Sequence, residues 1–235
     1  MGKVLEMRAP RPALVALAAA ALWLVGCGSE GAPPSLPIGA ILKAQLGGAA
    51  AADAATPAAA PDPAMLAEAR RALGAGGKPV ISVIDRSLGL ATFMVPLGEN
   101  RGVVSWANPE YQTIAMRDGV MLATRGFGRD LMSAEVPTAE HLRTARGGHM
   151  RVHFVLDGAD QTLRQTFDCR LSEVGTEAIS VLGLSYSARR VDEVCTGAEG
   201  TLTNSYWFDG TGRIRQSRQV RALGVEGLAF QAIFD

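Results

Sequence analysis

From residue 78 onward the sequence predicts a mainly β fold, a sandwich or a barrel, on three observations. Short apolar or alternating runs recur at 80–84, 90–95, 102–106, 111–116, 120–124, 150–156, 163–171, 178–184, 202–208, 212–220 and 228–234. About eleven strands at such spacing, with few helical patterns, indicate an all-β domain. Turn residues punctuate the runs: Asp118-Gly119 has the hairpin signature, and Asp157-Gly158 and Asp209-Gly210-Thr211-Gly212 mark two more turns. Side chains also alternate, so that Leu163, Phe167, Cys169 and Leu171 share one face, as do Leu228, Phe230, Ala232 and Phe234. A sheet of that many strands must curl or close.

Composition sets the outer limits. Hydrophobic residues make up 48% of the 235 and charged residues 20%, which excludes a wholly disordered chain. Basic and acidic residues number 23 each, so no bulk charge points to nucleic acid.

The elements follow in order. Lys3, Arg8 and Arg11 precede an uncharged stretch whose centre, 13–25, is built from Ala, Leu, Val and Trp. A membrane-spanning helix needs about 20 apolar residues. The shorter run here matches the h-region of a secretory signal peptide over 1–26; a buried helix or an uncleaved anchor is the alternative. The run ends in Leu24-Val25-Gly26-Cys27, which resembles the bacterial lipobox. That resemblance implies a diacylglyceryl thioether and an N-acyl chain on Cys27, each buried CH₂ contributing about 0.8 kcal/mol to anchoring. By the sorting rule for such lipoproteins, an Asp after the Cys retains the protein at the inner membrane; Gly28 in that place favours the outer membrane, facing the periplasm.

Residues 27–61 are rich in Ala, Pro and Gly and lack aromatics, so they cannot build a core. They read as a tether with a root-mean-square span of about 30–35 Å, in which 38–46 is apolar enough to form a short local helix. The β-rich domain then covers 62–235 and begins with a helix. Asp62 caps it, Pro63 takes its first position, Gly74 follows its last turn, and Met65, Leu66, Ala69 and Leu73 form one stripe. With Cys27 lipidated, Cys169 and Cys195 remain. In an exported protein such a pair is expected to form a disulfide, stabilising by about 3.5 kcal/mol through loop closure; two buried thiols are the alternative. No Cys-x-x-Cys motif suggests a metal site.

Two stretches carry a family resemblance. One is Trp106 with 111–131 (YQTIAMRDGVMLATRGFGRDL); the other is 204–209 (NSYWFD), followed by Gly212-Arg213-Ile214 and Ser217-Arg218-Gln219. Together with the lipobox they resemble the YjbF/GfcB family of lipoproteins, encoded with exopolysaccharide and group-four capsule machinery. The tether is longer than that pattern leads one to expect. The resemblance implies a single antiparallel half-open barrel or strongly curled sheet of about ten strands, with one or two short N-terminal helices. It also implies a non-enzymatic outer-membrane lipoprotein that assists polysaccharide export or assembly, with the export proteins or the polysaccharide itself as partners. It carries no catalytic residues and no cofactor.

Several residue patterns bear on chemistry directly. Gly183-Leu184-Ser185-Tyr186-Ser187 lacks the closing Gly of a nucleophile elbow. His149, Arg151 and His153 share one strand face opposite Met150, Val152, Phe154 and Leu156, so they form a solvated face or a functional histidine pair. Gly126-Phe127-Gly128-Arg129-Asp130 reads as a tight turn needing positive φ, with Arg129 and Asp130 as an ion pair or a saccharide-facing pair. Arg213, Arg215, Arg218 and Arg221 form a basic cluster after Tyr206-Trp207. With Trp106 these are candidate contacts to an acidic polysaccharide, through guanidinium forks and aromatic faces. The alternative is an edge strand guarded by arginines, with Trp207 in the core. A glycan hydrolase would need a carboxylate pair about 5–9.5 Å apart; Asp157, Asp160 and Asp209 are candidates that no spacing rule selects.

Overall fold

A computed structural model describes residues 62–234. The expected signal peptide, Cys27 and tether lie outside the described residues. Asp62 opens helix α1 (Pro63–Gly74) by accepting a 2.8 Å hydrogen bond from the Ala64 N–H. Of the expected stripe, Leu66 and Ala69 are buried, with Met65 and Leu73 packed beside them.

Twelve strands follow: β1 (Val80–Asp85), β2 (Leu90–Asn100), β3 (Val103–Ala107), β4 (Thr113–Arg117), β5 (Val120–Arg125), β6 (Leu131–Glu135), β7 (Gly148–Leu156), β8 (Thr162–Val181), β9 (Leu184–Gly197), β10 (Gly200–Phe208), β11 (Ile214–Gln219) and β12 (Leu228–Phe234). A short helix, α2 (Ala139–Arg143), links β6 to β7. The sheet order is β5-β4-β3-β2-β1-β12-β11-β10-β9-β8-β7-β6, antiparallel throughout. Sequence neighbours are therefore sheet neighbours everywhere except at β1–β12, which joins the two halves, and at β5–β6, which are the two edges. The result is an up-and-down, nearly closed barrel with its seam between β5 and β6.

Side chains stitch that seam. The Arg125 guanidinium donates to the carbonyls of Leu131 (3.1 Å) and Met132 (3.1 Å), and the Leu131 N–H donates to Thr124 Oγ1 at 3.0 Å. Asp130 closes the connecting turn, accepting from the N–H groups of Gly126 and Phe127 and from the Thr124 hydroxyl. Gly126 and Gly128 both have positive φ, so the tight-turn alternative holds there, and the Asp130 carboxylate is engaged by the turn.

Three strands differ from the sequence pattern, and of these β6 falls in no predicted run. The runs at 163–171 and 178–184 belong largely to one strand, β8, which continues through a bulge at Glu173/Gly175 while still paired with β9. β9 itself shows no apolar alternation because one of its inward positions is Glu193. Asp118 and Gly119 both take positive φ at the β4–β5 turn, as their hairpin signature requires.

The lumen is packed by Ile81, Val83, Met94, Ile114, Met121 and Phe230 in one cluster and by Leu142, Leu171, Val191, Tyr206 and Phe208 in another. Outside the sheet, α1 covers a third cluster that includes Trp207, Val80 and Ile233, together with Val181 and Leu182 at the tip of the β8–β9 arm. Arg70 fixes that contact by donating to the carbonyls of Val181 (2.7 Å) and Leu182 (3.3 Å). Cys169 and Cys195 stand opposite each other on β8 and β9 and form a disulfide.

Candidate functional site

At one end of the barrel the β2–β3, β4–β5 and β10–β11 turns meet α2 around a cavity of about 800 Å³. Ile81, Val104, Met116 and Phe230 form its apolar floor, and Trp106 lines it from β3. Its ionisable lining is Glu99, Asp118, Glu140, Arg143, Arg213 and Arg215. The turns are built tightly. A Cβ added to Gly119 would lie 3.1 Å from Ile214 Cβ, and one on Gly212 would lie 3.3 Å from Arg143 Cδ. Gln219 ties the β4–β5 turn to β11, accepting from the Met121 N–H and donating to the Gly119 carbonyl, each at 2.8 Å. The Arg143 carbonyl accepts from Arg189 at 2.5 Å, which holds the end of α2 beside β9.

The four arginines do not form one patch. Arg213 is exposed at the cavity. Arg215, only 7% exposed, lies 2.9 Å from Asp209 Oδ2, donates to the Ala232 carbonyl at 3.3 Å and sits 4.9 Å over the Tyr186 ring. Burial alone would raise the Asp209 pKa, but hydrogen bonds from Thr211 and Arg215, and from the Thr211 and Arg213 N–H groups, hold it below its ordinary value. Arg218 is half-buried 6.0 Å from the Trp207 ring. Arg221 is 1% exposed at the opposite end of the barrel, paired with Asp85 at 2.9 Å. Its guanidinium also donates to the carbonyls of Phe127 (3.1 Å) and Arg129 (3.2 Å) and to the Ser87 hydroxyl (3.2 Å), pinning two loops together. The expectation of one basic cluster of Arg213, Arg215, Arg218 and Arg221 is thus corrected. Alternation cannot reveal that a guanidinium is buried when a carboxylate meets it, from the adjoining turn for Arg215 and from the distant β1 for Arg221.

The aromatic expectation is corrected in part. Tyr206 has 0% exposure and Trp207 4%, so neither offers a face to a large ligand. The Trp207 indole N–H donates to Glu177, and Arg190 lies 5.1 Å over its ring. Trp106 alone of the three aromatics lines the cavity.

The histidine face is corrected as well: it points into the lumen. His149 Nε2 lies 2.6 Å from Glu193 Oε1. An ionised carboxylate only accepts, so this nitrogen carries the proton. Glu193 also receives Arg151 in a fork (3.1 and 2.9 Å), Asn204 (2.7 Å) and the Tyr206 hydroxyl (3.0 Å). Burial would raise the Glu193 pKa, but the Arg151 charge and these bonds hold it down to about 2. Neither ring nitrogen of His153 has a partner among the described residues, and burial and the Arg151 charge push its pKa down to about 3. Ligand atoms of His149, Cys169 and Glu193 lie within 4.8 Å of one another. In this arrangement the Cys169 sulfur is bonded to Cys195 and Glu193 is already neutralised by Arg151.

The carboxylates named as hydrolase candidates are dispersed. Asp157 accepts from the Ala159 and Gln161 N–H groups in the β7–β8 turn, which also holds Asp160, whereas Asp209 belongs to the β10–β11 turn at the other end. Sequence reasoning missed Glu99, Glu140 and Arg143 at the cavity. Only the Asp118-Gly119 turn signal marked any part of its acidic lining in advance.

One solved structure shares this architecture. The lipoprotein YmcC from Escherichia coli (K12) has a solved structure that superposes with a TM-score of 0.63 at 19% identity, covering 71% of this chain and 89% of that one. A protein with a YmcC-like fold from Bacteroides fragilis NCTC 9343 aligns at a TM-score of 0.33 and 11% identity, covering 66% of this chain and 93% of its own. No match is found among curated proteins. The family model described as "Group 4 capsule polysaccharide lipoprotein gfcB, YjbF" matches residues 66–233, from the middle of α1 to the end of β12, and the chain belongs to that family.

Proposed function

We propose that the protein is a lipid-anchored accessory in the export or assembly of an exopolysaccharide or capsule, acting by binding rather than by catalysis. Cys27 would carry the lipid that holds it at the outer membrane, facing the periplasm, and 27–61 would tether the barrel. The polymer would be met at the cavity, through Trp106 and Arg213. One observation carries this last step. Of the candidate contacts chosen from sequence, these are the two that combine an accessible position with a place in one cavity of ligand-binding size. Family membership supports the polysaccharide context. A second role, as an assembly factor that docks an export protein without touching sugar, draws support from Leu97 and Tyr111, large apolar side chains left exposed.

A strain lacking the gene, complemented with wild type, Cys27→Ala or Trp106→Ala/Arg213→Gln, tests both roles. Cys27→Ala should lose labelled fatty acid and membrane fractionation. The double variant should keep both yet export less polymer. Normal export by the double variant would remove polymer contact at the cavity and leave the assembly role.

A further inference from the structure

The cavity's ionisable groups say more about its ligand than its shape does. Arg215 is already answered by Asp209 at 2.9 Å. Arg143 and Arg213 line the same space as Glu99, Asp118 and Glu140, and all five side chains are exposed. The lining is therefore mixed in sign and slightly negative. A polyanion entering it would meet at least as many like charges as opposite ones. Carboxylates are acceptors only, and hydroxyl groups are the donors that suit them; arginines supply donors to ring and hydroxyl oxygens. Trp106 adds one aromatic side chain to the wall beside the apolar floor.

We propose, resting on the reading that the cavity meets the polymer, that it recognises a neutral, hydroxyl-rich stretch of saccharide and discriminates against uronic-acid or otherwise anionic segments. Glu99, Asp118 and Glu140 accept from sugar hydroxyls, Arg143 and Arg213 donate to sugar oxygens, and a sugar ring lies against Trp106. This reverses the acidic-polymer expectation drawn from the arginine count alone, because Arg215 and Arg221 are paired with the internal carboxylates of Asp209 and Asp85.

The two tryptophans among the described residues make the test direct. Trp207 is buried and Trp106 lines the cavity, so a ligand there should shift Trp106 emission and shield it from acrylamide, and Trp106→Phe should abolish the response. The probe is a set of fragments of the exporting cells' own polysaccharide, compared before and after chemical reduction of their carboxyl groups. Reduced fragments should bind as tightly as native ones or tighter. Raising salt from 50 to 500 mM should change the affinity by less than about threefold, because a neutral ligand has little charge to screen. Asp118→Asn with Glu140→Gln removes two carboxylates, and Asn keeps the turn conformation that Asp118 adopts. That variant should bind reduced fragments at least about tenfold more weakly. Native fragments binding tenfold tighter than reduced ones, or a gain of affinity in the carboxylate variant, would overturn the neutral-sugar assignment and leave polymer contact standing. No Trp106 response to either fragment set would overturn the assignment too, and the export assay on Trp106→Ala/Arg213→Gln would then decide polymer contact separately.

Discussion

Arg213 and Arg221 lie on one short stretch of sequence and end in opposite environments. Arg213 is exposed, so Arg213→Gln should change stability by no more than about 0.5 kcal/mol. Arg221→Ala would leave Asp85 buried without its counter-ion and free the Phe127 and Arg129 carbonyls, so it should cost about 3–5 kcal/mol, read as a lower urea midpoint. His153 makes a second prediction at this scale. It is neutral in the fold with its pKa pushed down to about 3, whereas an unfolded histidine takes up its proton near 6.5. Stability is therefore complete above about pH 6.5 and falls as pH drops toward 3, by at most about 1.4 kcal/mol per unit. Glu193, held down to about 2, adds a further loss between about pH 4.5 and 2. Urea midpoints at pH 7, 5.5 and 4.5 should fall in the wild type and flatten in His153→Phe; a flat wild-type profile would refute this. These residues also show where sequence reading stops. Trp106 could be chosen as a candidate contact from its type and neighbours. The burial of Arg151, Arg221 and Tyr206 could not, because each is stabilised by a partner from another strand that no local pattern names.

At the scale of elements, α1 was legible almost to the residue, since cap, first-turn proline and apolar stripe all act locally. Leu66 packs under it against the Gly183 turn of the β8–β9 arm, where a Cβ on Gly183 would lie 3.3 Å from Leu66 Cβ. Leu66→Ala should cost about 2–4 kcal/mol and loosen the arm, seen as faster amide exchange at Val181 and Leu182 with little change in β3–β5. Loss of protection spread evenly over the barrel would show instead that α1 is part of one cooperative unit with the sheet. Strands β6 and β9 were not legible. β6 is short and lies at the seam, and β9 turns Glu193 inward, so neither presents the apolar alternation that marked the others. The cavity was illegible for a related reason. Its rim comes from three turns and α2 and its floor from several strands, and their convergence is a property of barrel closure rather than of any one segment.

For the whole molecule, the disulfide ties β8 to β9 next to the buried Glu193 cluster. Exported protein should migrate differently on reducing and non-reducing gels, Cys169→Ser should remove the difference, and the variant should lose up to about 3.5 kcal/mol. Equal mobility with two titratable thiols in folded protein would refute the bridge. The pairing of β1 with β12 has a different consequence, one of timing. Val80 is matched with Phe234, so the first strand of the barrel waits for the last. A ribosome makes the chain from its amino end, and a hairpin such as β4–β5 can form as soon as both strands exist. The junction on which the two halves of the sheet depend cannot form until nearly every residue is available, which makes it the contact of greatest sequence separation and the slowest kind to close. Until then β1 is an uncovered edge of apolar side chains in need of protection from other chains. The finished barrel is therefore also a completeness check: a chain cut short by one strand lacks the piece that joins its beginning to its end.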